Sequence, residues 1–71
     1  YFEIEPGGFS SREHHDHEHV VMVVQGQGTV WLGSASKEIS EGDVVHVGPG
    51  EIHQFLADRG DRLGFYCIVP A

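Results

Sequence analysis

Short runs rich in Val, Ile, Phe and Tyr alternate along this chain with turns rich in glycine. Within a strand, residues two apart share a face, so such runs bounded by turn formers predict short strands with one buried side. The pattern places strands near Phe2–Glu5, Arg12–His15, Glu18–Val24, Thr29–Leu32, Lys37–Ile39, Asp43–Val47, Ile52–Ala57 and Leu63–Val69. Turn signals separate them at Pro6-Gly7-Gly8, Gln25-Gly26-Gln27-Gly28, Gly33-Ser34, Glu41-Gly42-Asp43, Gly48-Pro49-Gly50 and Asp58-Arg59-Gly60-Asp61. No stretch shows a sustained 3.6-residue apolar period, so no long helix is predicted. Many short, evenly spaced strands point to an all-β sandwich or barrel. There is no linker, internal repeat or low-complexity tract, and the expectation is a single domain over residues 1–71.

Length sharpens that picture. A chain of 71 residues buries only about 60% of its unfolded surface, so its core is marginal. Small scaffolds usually add a disulfide, a metal or a partner subunit. Cys67 is the single cysteine, which excludes an internal disulfide and leaves a metal or an oligomer. A short barrel leaves strand edges and an apolar face open, and two-fold pairing is the commonest cover, so a homodimer is expected. Eleven acids against four bases give a net charge of −7. With no basic cluster to neutralise phosphates, neither nucleic acid nor an anionic membrane is expected as a partner. The longest apolar run, Val20–Val24, is too short to span a bilayer. No secretory leader is visible, and the expected compartment is the cytoplasm. The chain opens on Tyr1 rather than methionine, so residues can precede it.

Histidine is the compositional outlier. Of six in the chain, four lie between His14 and His19. If Glu13–His19 is extended, Glu13, His15, His17 and His19 point the same way. Imidazole nitrogen with carboxylate oxygen suits Mn, Fe, Co, Ni, Cu or Zn. One segment cannot easily surround an ion, and His53, which opens a strand after the Gly48-Pro49-Gly50 turn, is the candidate from elsewhere. A solvated, histidine-rich turn with incidental metal affinity is the alternative.

The sequence resembles the cupins, a family of small double-stranded β-helix barrels. Their first motif runs Gly, His-x-His, three or four residues, Glu, six residues, Gly. Their second runs Gly, five residues, Pro-x-Gly, two residues, His. With Gly26 closing the first motif, His19 takes the usual place of the glutamate, and Glu13 and His15 take the histidine pair. Gly42 to His53 has the spacing of the second motif. Gly48 stands where proline is usual, and Ala57 stands where an asparagine is common. Pro6-Gly7-Gly8, Glu51-Ile52-His53-Gln54-Phe55 and Phe65-Tyr66-Cys67-Ile68-Val69-Pro70 are similar to segments of small manganese cupins of microbes. The resemblance implies a compact cupin barrel, one able to lack N-terminal strands, with one divalent metal held by Glu13, His15, His19 and His53. A hard carboxylate among imidazoles favours Mn or Fe over Cu, Ni, Co or Zn. In the alternative, Glu13 is a solvent carboxylate and water completes a three-histidine site.

Around that set, His14 has the wrong parity and is expected at the surface. His17 has the right parity and is read as either a support to the ligands or a surface residue. His46 is read as packed or hydrogen-bonded, and Glu18 as exposed. Cys67 is read as a small buried hydrophobe. Phe55, Phe65, Met22 and Trp31 are core or pocket candidates. No Ser/His/Asp arrangement and no phosphate-binding glycine loop is present. The expected function is metal-dependent, oxygen-activating (dioxygenase-like) chemistry on a small molecule, because four protein ligands leave coordination positions open. The alternative is a non-catalytic metal- or ligand-binding module, such as a sensor or scavenger.

Overall fold

The structure, a computed structural model, describes residues 1–10, 12, 14 and 17–69. Among the described residues seven strands form: β1 (Phe2–Ile4), β2 (His19–Gln25), β3 (Gln27–Leu32), β4 (Ala35–Ser40), β5 (Val44–Val47), β6 (His53–Ala57) and β7 (Leu63–Ile68). They build two antiparallel sheets, one ordered β1-β7-β2-β5 and the other β4-β3-β6. The chain changes sheet at the turn after β2, and again after β4, β5 and β6. This winding pattern is the all-β, cupin-type architecture expected from the sequence.

Period-two alternation decides what each sheet buries. Val21 and Val23 of β2, Val45 and Val47 of β5, and Leu63 and Phe65 of β7 face inward from one sheet. Val30, Ile39, Phe55 and Ala57 face them from β3, β4 and β6. Phe55 stacks on Phe65 with ring centroids 4.8 Å apart, which joins the sheets at the centre of the core. Two of the four aromatic or sulfur core candidates turn out otherwise: Met22 is 40% exposed and Trp31 39%. Both have the parity opposite to their buried neighbours.

The expected strand over Arg12–His15 is not seen at Arg12 or His14, which are irregular and exposed; Glu13 and His15 lie outside the described residues. The preceding residues pair instead. Phe9 bridges to Leu56, Ser10 N–H donates to the Phe55 carbonyl at 2.8 Å, and the Phe55 N–H donates to Ser10 Oγ at 2.9 Å. The chain ahead of the histidine run is thereby fastened to β6, the strand that opens with His53.

Candidate metal centre

His19 and His53 are the first residues of β2 and β6, in opposite sheets. His19 shares parity with the buried Val21 and Val23, and His53 with Phe55 and Ala57. Both side chains therefore turn inward at one end of the sandwich. Their ring centroids lie 6.0 Å apart. Two imidazoles on one ion, with metal–nitrogen bonds of about 2.1 Å, place their centroids roughly 4.5–6.5 Å apart, so the pair fits a shared transition metal. His19 is buried, with Nε2 sealed from solvent; His53 is half-buried.

Each ring is held through Nδ1. His53 Nδ1 lies 3.0 Å from the Glu51 carbonyl. A carbonyl only accepts, so Nδ1 carries the proton and Nε2 the lone pair, which is the tautomer a metal ligand needs. The turn behind it is closed by Glu51, whose carboxylate accepts the Gly48 N–H at 3.1 Å. His19 Nδ1 lies 3.1 Å from Cys67 Sγ, on the neighbouring strand β7. Burial pushes the Cys67 thiol above its ordinary pKa of 9.0, keeping it neutral at physiological pH.

The His17 ring is exposed, as a surface residue would be, and stacks on His19 with centroids 4.7 Å apart. Ser10 on β6 and His17 on the His19 ring are the described anchors on either side of Glu13 and His15. Those two expected ligands fall outside the described residues. Among the described residues, no group of three His, Cys, Asp or Glu side chains is placed to hold an ion. His14 is exposed, as its parity implied. His46 is exposed, and its Nε2 lies 2.7 Å from Glu18 Oε2, within hydrogen-bond distance. The aromatic wall beside the pair is continuous: His53 meets Phe55 edge to face at 6.2 Å, and Phe55 stacks on Phe65.

What the sequence reading missed is the position of Cys67. It shares inward parity with Leu63 and Phe65 and is half-buried, but it touches an imidazole rather than only the core. The available signal was that parity; the register that sets Cys67 opposite Val21, one step along the sheet from His19, joins residues far apart in sequence.

A two-sheet barrel with paired inward histidines at one end defines a class of small all-β barrels. The comparison with known families makes it specific: residues 1–69 match the Cupin domain model, and the chain belongs to the cupin family. Cupin domains commonly bind a transition metal. The chain is 41% identical over all its 71 residues to 1-methylthio-D-xylulose 5-phosphate methylsulfurylase of Rhodospirillum rubrum, of which it covers 46%. It superposes with a TM-score of 0.90 on a cupin 2 conserved barrel domain protein from Rhodopseudomonas palustris, at 43% identity, covering 97% of this chain and 48% of that one. A cupin 2 domain-containing protein from Halorhodospira halophila gives a TM-score of 0.91 at 43% identity, covering 96% and 47%. The chain thus spans about half the length of these relatives. No helix among the described residues is long and apolar enough to cross a membrane.

Proposed function

We propose that this chain carries a divalent transition-metal centre, Mn or Fe, held by Glu13, His15, His19 and His53, which acts on a small-molecule substrate. The observation that supports this is the inward His19–His53 pair, with ring centroids 6.0 Å apart, on two strands of opposite sheets. When bound, the metal supplies Lewis acidity to a substrate oxygen. His53 is presented in the ligating tautomer by the Glu51 carbonyl, and Phe55 and Phe65 keep bulk water from the inner side of the site.

For the substrate, the 41% identity to the methylsulfurylase supports a small phosphorylated sugar bearing a methylthio group. The test is metal analysis of the purified full-length protein and of its His15→Ala/His53→Ala variant, followed by phosphorus NMR of 1-methylthio-D-xylulose 5-phosphate with Mn- or Fe-loaded protein. Metal in the wild type alone and consumption of the sugar phosphate are expected. Equal metal content in both proteins refutes the centre, and an unchanged spectrum refutes the substrate class. Oxygen activation is the second reading, favoured by the apolar wall of Phe55 and Phe65 beside the imidazoles. Metal-dependent oxygen uptake with dicarbonyl, catechol or alkene substrates supports it, and its absence with all of them refutes it.

A further inference from the structure

The two inward histidines are held by partners of different chemistry, and the difference has a consequence for metal binding. The Glu51 carbonyl can only accept, so it fixes the His53 tautomer before any ion arrives. A thiol can donate as well as accept. If Cys67 S–H donates to His19 Nδ1, the imidazole proton sits on Nε2 and blocks ligation. If His19 Nδ1–H donates to Sγ, Nε2 offers its lone pair to the centre. The 3.1 Å contact serves both arrangements. Cys67 is itself held in place: its strand pairs with β2 in register, with Cys67 opposite Val21, and its side chain packs against the core. The sulfur thus limits rotation of the His19 ring whichever atom carries the proton.

We propose that Cys67 is a positioning residue for the metal centre, accepting the Nδ1–H of His19 so that Nε2 faces the ion. This rests on the reading that His19 and His53 are ligands. Partners of this kind typically change metal affinity 10- to 100-fold when removed. The role separates cleanly from packing. Cys67→Ser keeps an acceptor in a smaller side chain, whereas Cys67→Val keeps the apolar volume and removes the acceptor. A positioning role predicts that Ser stays close to wild type while Val and Ala lose affinity. A packing role predicts instead that Val stays close to wild type while Ser and Ala lose affinity.

The experiment is titration of the metal-free full-length protein with Co(II), followed by its visible d–d absorption and by competition with a chromophoric chelator. Circular dichroism of each variant establishes that it is folded, and His53→Ala serves as the ligand control. The expected result is Co(II) binding to wild type, loss in His53→Ala, about 10-fold or greater weakening in Cys67→Val and Cys67→Ala, and recovery in Cys67→Ser. Tight binding by Cys67→Val, or weak binding by Cys67→Ser, overturns the proposal while leaving the centre intact. A sulfur-to-cobalt charge-transfer band in wild type that vanishes in Cys67→Ser also overturns it, by making the thiolate a ligand. Failure of wild type to bind Co(II), or equal binding by His53→Ala, removes the ligand reading and this inference with it.

Discussion

Gly26 and Gly42 both close turns and both hold positive φ, +81° and +94°, yet replacing them with alanine should have unequal consequences. At Gly42 nothing lies within 4 Å of the position a Cβ would take, so Gly42→Ala meets only the backbone penalty. That penalty is about 1–2 kcal/mol for an L residue in the left-handed region. At Gly26 the same penalty applies, but the added Cβ would also lie 2.0 Å from the Arg62 carbonyl oxygen and 2.9 Å from its carbon. No side-chain rotation relieves a clash of backbone with Cβ. Either the turn between β2 and β3 or the start of β7 must shift, and overpacking of this kind adds about 1–3 kcal/mol. Gly26→Ala should therefore cost about 2–5 kcal/mol, much of the roughly 4–10 kcal/mol expected for a domain this size. Urea unfolding at fixed metal content, followed by circular dichroism and by fluorescence of Trp31, measures both variants. With a slope near 1 kcal/mol per molar, the Gly26→Ala midpoint should fall roughly 1–3 M below that of Gly42→Ala. Coincident midpoints would refute the close approach of the turn to Arg62, and a larger loss at Gly42 would refute the account of both turns.

Leu63 is 0% exposed, so Leu63→Ala should cost about 2–5 kcal/mol, whereas Trp31→Ala on the outer face should cost less than about 1 kcal/mol; similar thermal shifts would contradict the assigned faces. If metal binds only the folded state, then at a hundredfold excess over Kd it stabilises by about 2.7 kcal/mol. EDTA should then lower Tm by about 10–20 °C, and an unchanged Tm would refute the linkage. Burial raises the Cys67 pKa above 9.0 in the folded chain. The folded state therefore binds this proton more tightly than the unfolded state, and the contribution is complete below pH 9 and lost as pH rises through the folded pKa. Alkylation of metal-free protein by iodoacetamide should accelerate only above pH 9, and an inflection below that would contradict the burial. Met22, Val44 and Tyr66 are adjacent across β5, β2 and β7 and point outward; if a second copy covers them, light scattering should give twice the chain mass and Tyr66→Glu should halve it, whereas a monomeric wild type would refute the pairing.

Strand content was legible because it depends on local pattern, and seven of the eight expected strands are present among the described residues, the Arg12–His15 segment lying partly outside them. At Arg12 and His14, the described residues of the expected Arg12–His15 strand, no strand is seen: both are polar and exposed and offer nothing apolar to bury. β4 extends beyond the expected Lys37–Ile39 to Ala35–Ser40 because β3 pairs with it residue by residue from Leu32 opposite Ala35 to Gln27 opposite Ser40. Main-chain pairing there carries polar residues into a strand that their side chains do not advertise. Met22 was ambiguous for another reason. Val20–Val24 is apolar on both faces, so composition cannot say which parity turns inward; the register of β2 between β5 and β7 decides it.

The candidate site was legible only in part, because motif spacing locates residues along the chain but not across sheets. His19 and His53 came from spacing, and the structure places them together. Their arrangement follows from a simple feature of the winding. Each is the first residue of its strand, each has the inward parity, and the two strands belong to opposite sheets. Strands entering opposite sheets from the same end bring their first inward residues face to face. Below His19 the same face of β2 continues as Val21 and Val23, and below His53 that of β6 continues as Phe55 and Ala57. The imidazoles thus rest on the core itself, which holds side-chain geometry more tightly than a loop can. An ion shared by this pair would tie one sheet to the other at the end where the apolar core stops. In a chain with one cysteine and a core of this size, such a tie would do for the sandwich what a disulfide does for other small domains. If an ion binds there, this geometry would couple metal occupancy to the folding of the barrel.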